Sequence, residues 1–469
     1  MTSVRHDDAV SSGLPPRIGQ GVERPVSSRD CAPGTAEKRL SPSAYRRNFR
    51  LGVVNGALVT VASAFIDPDM VLSWFLAQLQ VANVLIGAVQ PIRMGSSFIL
   101  QIAASGYLQR QPRKLPAYLV LSFFRCVLLL GMALLVAFAP VGSSWLVVGF
   151  FAILVLHGLS SGLIGQPFLD MVGKTIPFDR RGAFFAQRNF WGNILVLGAS
   201  AVVGALLAEP LGLTFPLNVA LLFVLAAVFF ALTALAWRMV DEPPSRVDER
   251  AVGVGAQFRR GFRLLKTDPH YRAFVLARLA LVPPEWVTPF YIVYAKEALG
   301  IAPQMIGVYL AARTVASVLS NLGWSRLSDR HGNRAVVQGA AIVGVGVPLA
   351  ALLNGVISHT LPAGSPLPAY GYGLVFVVMG VFNSGTLIAG ISYLLDIVPE
   401  AERPLYLGFN STLFGIARFS ALASGLLVDW LGFTPLLVIS AGFYLLGIIL
   451  SLGLLDARAG QVETAAAEG

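Results

Sequence analysis

Residues 304–357 read QMIGVYLAARTVASVLSNLGWSRLSDRHGNRAVVQGAAIVGVGVPLAALLNGVI, two apolar runs joined by a short charged loop. Each run is about twenty residues long, which as a helix crosses roughly 30 Å of hydrocarbon. Lipid cannot pair with backbone N–H and C=O groups, so helices satisfy them internally, whereas barrel strands are shorter and alternate in polarity. The stretch therefore predicts two membrane-spanning helices joined by a tight turn.

The composition extends this interpretation to the whole chain. Of its 469 residues, 55% are hydrophobic and 13% are charged, and the mean hydropathy is +0.69. A soluble domain has about 25% charged residues, so an ordinary water-soluble enzyme is excluded. The two cysteines, Cys31 and Cys126, give neither a disulfide framework nor a metal-ligand spacing. Because phosphate-binding and dinucleotide-binding loops are also absent from the sequence, we expect no enzyme activity, cofactor, metal or nucleic-acid partner.

Similar apolar runs recur from Leu51 onward, and twelve can be counted. The longest polar interruption, residues 238–272, divides them six and six. We therefore predict an all-α membrane protein with twelve transmembrane helices in two pseudo-symmetric six-helix bundles. The predicted spans are 48–69, 81–105, 116–138, 145–168, 190–208, 217–237, 272–295, 304–324, 335–357, 371–395, 405–428 and 435–455.

These spans set the predicted domain boundaries. Residues 1–44 contain five prolines, charges of both signs and no apolar core of a signal peptide, which predicts a disordered cytosolic tail. The first bundle is predicted over residues 45–238 and a cytosolic linker over residues 239–271. The second bundle is predicted over residues 272–456, followed by a cytosolic tail over residues 457–469.

The formal net charge of +10 is unevenly distributed. With the amino terminus placed inside the cell, 29 of the 35 Lys and Arg residues lie in cytosolic segments, and Lys296 alone lies in the opposite loops. This asymmetry is the positive-inside pattern of membrane proteins. It predicts a multi-pass protein of the cell membrane with both termini in the cytosol.

The central linker carries a pattern of its own. Phe258, Phe262 and Leu265 recur at helical spacing, and the remaining circumference is basic. Such an amphipathic helix is typical of segments that lie on anionic lipid headgroups. A solvated helical linker between the two bundles explains the same pattern. The basic residues are Arg259, Arg260, Arg263 and Lys266.

The loop in the opening stretch also carries a family resemblance. Residues 325–334 read SRLSDRHGNR and resemble the Gly-x-Leu-x-Asp-Arg-x-Gly-x-Arg loop of the major facilitator superfamily, with Ser325 in place of the first glycine. The equivalent loop of the first half, residues 106–114, keeps the glycine and the basic residues but has no aspartate. The two halves also align with each other, since Arg93 falls on Arg313 at an offset of 220.

The resemblance implies a transporter whose two bundles rock about a central site. In that superfamily the loop of one half packs against the fifth helix of the other, which here would bring Asp329 close to Arg181 and Arg188. Such contacts break when the halves separate, so the loop would act as a cytosolic latch. The alternative is that the loop is a tight turn without a gating role, whose basic residues only follow the positive-inside pattern. The residues assigned to this gating loop are Asp329, Arg330, Gly332, Arg334, Arg181 and Arg188.

Five arginines lie in the interior of the predicted spans, away from the cytosolic ends, where a charged residue costs roughly 2.5–3.5 kcal/mol to insert. Arg93 and Arg313 fall near the bilayer centre on polar helix faces. Two guanidinium groups related by the pseudo-twofold axis can clamp one anionic group. An internal salt bridge is the alternative. The candidate substrate-binding residues are Arg93, Arg313, Gln90, Glu285 and Arg418.

Glu285 is the first candidate for proton coupling. It follows Pro283 and Pro284, which are expected to kink the seventh span beside it. A carboxylate in a low-dielectric cavity can alternate between charged and neutral forms. The alternative is a permanent ion pair of Glu285 with one of three arginines, namely Arg93, Arg278 and Arg313.

Asp67 is the second coupling candidate. Asp67 and Asp69 flank Pro68 near the outer end of the predicted first span. We expect them to cap a helix break at the external interface.

The first hypothesis for function is a secondary active transporter that moves a small solute by alternating access. Five intramembrane arginines against one clearly intramembrane acid, Glu285, favour an organic or inorganic anion as substrate. The carboxylate of Glu285 supplies what proton coupling would need. The first alternative is a proton-driven exporter of neutral or lipophilic compounds. The second, from another class, is a membrane sensor or scaffold that transports nothing. The expected partners are a small-molecule substrate and the lipid bilayer, and the protein is expected to function as a monomer.

Overall fold

The computed structural model describes residues 41–109, 111–209, 212–244, 254–362, 364–399 and 402–456. For residues 97–109, 178, 254–258 and 404 only the backbone is described. Within these ranges the chain is almost entirely helical and contains no β-strand. The predicted all-α class is therefore confirmed. The predicted carboxyl-terminal tail, residues 457–469, lies outside the described residues, and so does the predicted amino-terminal tail apart from residues 41–44.

The described part of the first half contains seven α-helices. The first begins after Ser41, whose hydroxyl accepts a hydrogen bond from the backbone N–H of Ala44 (3.2 Å). Residues 42–44, predicted as part of the disordered tail, therefore belong to this helix. The helices are α1 (Pro42–Phe65), α2 (Ser73–Gln78), α3 (Asn83–Gln109), α4 (Leu115–Phe138), α5 (Ser144–Thr175), α6 (Arg181–Leu207) and α7 (Leu217–Arg238), with a π-helical turn (Pro68–Leu72) between α1 and α2.

The remaining helices include the predicted linker helix, α8. The long α11 consists of two helices that meet at Gly332, whose φ of +80° favours glycine. The helices are α8 (Val254–Thr267), α9 (Pro269–Ala280), α10 (Val282–Glu297), α11 (Met305–Thr360), α12 (Leu367–Ile397), α13 (Arg403–Ala417), α14 (Leu422–Leu431) and α15 (Phe433–Leu452), with a 3₁₀ turn (Arg418–Ala421) between α13 and α14.

Nine helical stretches of the described chain are long and apolar enough to cross a membrane. One of them, Met305–Thr360, has 56 residues and contains the break at Gly332, so it covers two predicted spans. All the predicted spans fall on helix to within a few residues. The multi-pass architecture is therefore confirmed, and the count of twelve spans stays a prediction.

Large apolar side chains are exposed on the outside of the helices. Phe123, Phe138 and Trp145 are 71%, 81% and 82% exposed. Water-soluble monomers rarely expose contiguous apolar surface on a large scale, whereas hydrocarbon solvates such side chains well. The exposed surface thus agrees with embedding in a membrane.

The first span does not end where the sequence suggested. Pro68 has no backbone N–H and interrupts the helix after Phe65, but the chain resumes as the π-helical turn and continues to Gln78. Asp67 is the N-cap of the resumed helix, as expected for a capping residue. The predicted position of Asp67 and Asp69 near the outer end of the span is wrong, because all of α2 follows them.

The seventh span is broken as predicted. α9 ends at Ala280 and α10 begins at Val282, with Pro283 and Pro284 in its first turn. Proline is tolerated there because the first N–H groups of a helix have no partner within it. Glu285 follows in the same turn, where the positive end of the helix dipole favours a carboxylate.

The two halves are held together by polar contacts at one end of the bundle. We call this the distal end; it is the end opposite the start of α1 and the end of α15. Lys296 donates a hydrogen bond to the backbone C=O of Ala77 (2.6 Å). Asn83 donates one to the carboxylate of Asp429 (2.8 Å). Both contacts join a residue of the first half to one of the second.

Glycines bring the helices of the two halves close together at the same end. A Cβ atom at Gly425 on α14 would lie 2.3 Å from the Cα of Val84 on α3. A Cβ atom at Gly307 on α11 would lie 2.4 Å from the backbone oxygen of Ser200 on α6. Real side chains cannot approach so closely, so these helix pairs require glycine. The distal end is therefore tightly closed.

Glu242 organises the opposite, proximal end of the first half. Its two carboxylate oxygens accept hydrogen bonds from the backbone N–H groups of Lys114 and Leu115, each at 2.7 Å. One of these oxygens also lies 2.9 Å from the ammonium group of Lys174. Glu242 thus caps the start of α4, where N–H groups lack helical partners, and neutralises a lysine of α5.

Replacing this buried carboxylate should destabilise the protein. Glu242→Ala leaves two backbone N–H groups without an acceptor and breaks a buried ion pair, which costs about 3–5 kcal/mol. The measurement is the free energy of unfolding of the detergent-purified protein. The exposed Glu297 offers a matched control, and Glu297→Ala is expected to stay within about 0.5 kcal/mol of wild type. Equal stability of the two variants would contradict the role of Glu242.

Candidate functional site

A cavity of about 250 Å³ lies between the two halves. Helices of both halves line it, so any movement of one half relative to the other changes its shape. Most of its side chains are polar or charged. The first half contributes Thr60, Ser63, Ala64, Asp67, Pro68, Arg93, Asn193 and Val196, and the second half Leu310, Arg313, Thr314, Ser317, Gly380 and Asn383.

Asp67 connects the two halves at this cavity. Its Oδ1 accepts hydrogen bonds from the backbone N–H groups of Asp69 (3.1 Å) and Met70 (3.0 Å), which fixes the side chain at the start of the π-helical turn. Its Oδ2 accepts a short hydrogen bond from the guanidinium group of Arg313 on α11. Both side chains are largely buried. The ion pair therefore lies where salt screens it little.

Asp69 extends the network within the first half. Its Oδ1 accepts a hydrogen bond from the amide of Gln90 (2.9 Å), and its Oδ2 lies 3.5 Å from the guanidinium group of Arg313. Arg93 lines the same cavity and interacts electrostatically with both aspartates. The structure thus brings Arg93, Arg313 and Gln90 together as candidates for one site. It also adds the carboxylates of Asp67 and Asp69, whose negative charges balance the positive charges of the two arginines.

Glu285 forms its ion pair with Arg418. The Nε atom of Arg418 donates to one carboxylate oxygen at 2.8 Å, and a terminal nitrogen donates to the other at 3.4 Å. The expected partners Arg93, Arg278 and Arg313 are therefore wrong. The break before α10 places Glu285 against the 3₁₀ turn that begins at Arg418. Both residues belong to the second half, and their side chains are 34% and 40% exposed.

The other two arginines of the predicted spans have different partners. The guanidinium group of Arg125 lies 3.7 Å from the ring centroid of Phe230. Arg278 donates a hydrogen bond to the backbone oxygen of Thr386 (3.0 Å). Among the described residues no ion pair involves either arginine, and cation–π and carbonyl contacts account for both within their own halves.

The side chain of Arg188, which the sequence predicted to contact the gating loop, points into the first half. It donates a hydrogen bond to the side-chain oxygen of Asn55 (3.2 Å), and its guanidinium group lies 4.3 Å from the ring centroid of Phe168. Arg181 donates to the backbone oxygen of Gly173 (2.7 Å). Arg188 would have to leave its contacts to act as part of a latch, and the latch stays a prediction.

The gating loop itself is attached to its own half. Arg334 donates a hydrogen bond to the backbone oxygen of Leu452 (2.9 Å), and Asn333 donates one to Asp396 (2.7 Å). Asp329 and Arg330 are exposed. Gly332 provides the positive φ that the turn needs, as described above.

Sequence reasoning missed Asp69, and it placed Asp67 at the interface and not in the central site. Both errors follow from ending the first span too early. The signal was present, since residues 70–77 read MVLSWFLA and are apolar enough to continue the span. Two asparagines of the cavity, Asn193 and Asn383, were also missed, although an amide within a predicted span is itself a signal.

The fold is similar to that of solved transporters. A mutant of the nucleoside transporter NupG aligns with a TM-score of 0.66 at 14% identity, over 88% of this chain and 100% of that one. A bacterial homologue of the iron transporter ferroportin aligns with a TM-score of 0.64 in its inward-facing state. In its outward-facing state the TM-score is 0.56, and both comparisons have 16% identity and cover 87% of this chain and 98% of that one. At these identities the likeness shows the fold alone.

The family model described as Major Facilitator Superfamily matches residues 284–469. This match covers 186 of the 469 residues, so the second half of the chain is similar to that family. An uncharacterized protein of Mycobacterium tuberculosis (strain ATCC 25618 / H37Rv) is 24% identical over 263 residues, 55% of this chain and 48% of the relative. YfnC of Bacillus subtilis (strain 168), an uncharacterized MFS-type transporter, is 26% identical over 160 residues, 34% of this chain and 36% of the relative. The matches thus span about half, or less, of these relatives' lengths.

The ion pair between the halves of this protein predicts a non-additive mutant cycle. Asp67→Asn and Arg313→Gln each leave a buried charge without its main partner, which costs about 3–5 kcal/mol, whereas the double variant removes both charges. The double variant should therefore be more stable than the sum of the single effects predicts, by at least about 1.5 kcal/mol. The measurement is the free energy of unfolding in detergent.

A matched control for this cycle uses Asp179, an exposed aspartate of the same half. Asp179→Asn combined with Arg313→Gln is expected to be additive within about 0.5 kcal/mol. Additive effects of Asp67→Asn and Arg313→Gln would show that the pair does not couple the halves.

Proposed function

We propose that this protein is a member of the Major Facilitator Superfamily and a secondary active transporter of the cell membrane, which moves a small polar solute by alternating access. The observation that carries the proposal is the polar cavity between the halves, crossed by the ion pair of Asp67 with Arg313. A site shared by two halves changes its exposure when they rock. The predicted cytosolic segments contain 29 basic residues and the opposite loops contain one, which supports cytosolic termini.

The closed distal end supports an inward-facing state. With cytosolic termini the distal end is extracellular, and there Lys296 contacts Ala77 and Asn83 contacts Asp429. The higher TM-score to the inward-facing ferroportin homologue agrees with this assignment. The hydrogen bond of Arg188 to Asn55 within the first half fits a cytosolic latch that is open in this state.

The cavity favours a small solute that carries no large net charge. Its volume of about 250 Å³ lies below the roughly 300–1,000 Å³ of sites for drug-sized ligands. Because Asp67 and Asp69 balance Arg93 and Arg313, an anion would have to displace a carboxylate. A neutral or zwitterionic solute can hydrogen-bond to the network without separating its charges. An organic or inorganic anion held by the two arginines is the alternative substrate.

Two other functions receive less support from the same cavity. A proton-driven exporter of lipophilic compounds needs an apolar site, whereas this lining includes Thr60, Ser63, Asn193 and Asn383. A membrane sensor or scaffold would bind a ligand without carrying it. Flux measurements separate that class from a transporter.

Asp67 and Glu285 are the two candidates for proton coupling. Asp67 pairs with a residue of the other half, whereas Glu285 pairs within its own half. The halves cannot separate near Asp67 without breaking its pair with Arg313, and the separated charges would be costly in a low dielectric. A proton taken up by Asp67 removes one of these charges. The pair of Glu285 with Arg418 stays within the second half and is partly exposed, so it can exchange a proton without such separation. We therefore assign the coupling step to Asp67 and keep Glu285 as the second candidate.

The substrate class and the transport function can be tested together. A thermal-shift screen of neutral, zwitterionic and anionic small solutes identifies a ligand, since a ligand at a hundred times its Kd adds about 2.7 kcal/mol of stability. Uptake of that ligand is then measured in proteoliposomes with and without a pH gradient. We expect a neutral or zwitterionic ligand whose accumulation the gradient drives. A ligand that stabilises the protein but does not cross the membrane would contradict transport.

Two variants separate the candidates for coupling. Asp67→Asn is expected to retain exchange of the ligand and to lose gradient-driven accumulation, because an amide cannot change its charge. Glu285→Gln and the exposed control Asp179→Asn are expected to retain accumulation. The measurement is the ratio of ligand inside to outside at a fixed pH gradient. If Asp67→Asn retains accumulation and Glu285→Gln loses it, the coupling step belongs to Glu285 and the assignment to Asp67 is wrong.

A further inference from the structure

The linker helix α8 has a continuous basic surface that the proposed transport mechanism does not use. At 100° per residue, its basic residues fall within one arc of about 120°. The larger apolar residues Phe258, Phe262, Leu264 and Leu265 lie outside this arc, as does Gly261. The four basic residues, in order around the helix, are Lys266, Arg259, Arg263 and Arg260.

The apolar face of α8 is attached to a membrane-spanning helix. A Cβ atom at Gly261 would lie 2.1 Å from the ring of Phe409 on α13, so the two helices are in close contact. The rings of Phe262 and Phe409 meet edge to face at 5.3 Å between centroids. Leu264 and Leu265 pack against the adjacent hydrophobic core. α8 is therefore a fixed part of the second half and not a free linker.

This attachment sets the depth of α8. Phe409 lies six residues after the start of α13 at Arg403, which is about 9 Å along the helix. The polar headgroup region on each side of the bilayer is about 5–8 Å thick. Interfacial helices bury their apolar face roughly 5–10 Å into the boundary between headgroups and acyl chains, so a helix packed this close to the end of a span suits that boundary.

One of the four basic residues of α8 already forms an ion pair with an acidic residue. Arg260 lies 3.5 Å from Glu402. Arg259, Arg263 and Lys266 are exposed, and no ion pair in the described part of the chain involves them. Phe262, on the edge of the basic arc, is 43% exposed although it also contacts Phe409. Three cations beside a half-exposed aromatic ring form a surface that is both positive and apolar.

We propose that Arg259, Arg263 and Lys266 bind the phosphate groups of anionic phospholipids, with Phe262 inserted beside them at the membrane surface. Basic residues next to an aromatic ring on an interfacial helix suit an anionic bilayer, because charge and apolar contact act together. A soluble phosphate offers the charge alone. The proposal concerns lipid binding and does not depend on the proposed transport function.

Native mass spectrometry of the full chain tests this proposal directly. The delipidated protein in detergent is incubated with phosphatidylglycerol or phosphatidylcholine, and the retained lipid is counted. We expect preferential retention of phosphatidylglycerol. Each basic contact with an anionic surface is worth about fivefold in affinity, so Arg259→Gln/Arg263→Gln/Lys266→Gln should lose at least about tenfold of this preference. If this triple variant does not fold, Arg263→Gln alone should lose about fivefold.

A matched control removes three exposed basic residues from the same end of the bundle. Arg46→Gln/Arg50→Gln/Arg238→Gln changes the net charge equally and should keep the wild-type preference. Excess inorganic phosphate should not displace phosphatidylglycerol. An unchanged preference in the α8 variant, an equal loss in the control, or full displacement by inorganic phosphate would each overturn the assignment.

Discussion

The buried ion pair of Asp67 with Arg313 is the constraint on which the rest of the structure depends. Removing two charges from water is costly, and neither charge is tolerated alone in a low dielectric. The surroundings reflect this constraint. Backbone N–H groups and Arg313 together satisfy Asp67, while Asp69 and Gln90 supply further contacts beside it. Because the two partners belong to different halves, the same pair that stabilises the cavity also opposes separation of the halves at that point.

Both halves use a proline to place an acid inside the first of their spans. Pro68 breaks the first span next to Asp67, and the proline pair before Glu285 accompanies the break of the seventh. The two acids nevertheless have different partners. Asp67 reaches across to the second half, whereas Glu285 pairs with Arg418 of its own half. One ion pair thus joins the two halves, and the other lies within the second half.

The hydrophobic pattern was sufficient to predict the helices, because each crossing requires about twenty apolar residues in a row. It also located Arg93, Arg313 and Gln90, whose polarity is unusual within such runs. The positions of Asp67 and Asp69 were misjudged because a proline between two acids also suggests the end of a helix, and only the packed structure shows that the helix resumes. The partner of Glu285 could not be predicted, because helix rotation after a break decides it and one sequence does not record that rotation.

We propose that the ion pair of Asp67 with Arg313 helps to hold the distal end closed, together with the contacts that Lys296 and Asn83 make there. Spin labels at Val141 and Leu367, two exposed residues beside distal turns of the first and second halves, report this distance by pulsed electron resonance once Cys31 and Cys126 are replaced by serine. We predict mainly the short distance in the labelled parent protein. Asp67→Asn should enlarge the long-distance population by about tenfold or more relative to the short one, since that ratio corresponds to only about 1.4 kcal/mol. The same distance distribution in the parent protein, Asp67→Asn and Arg313→Gln would contradict the claim.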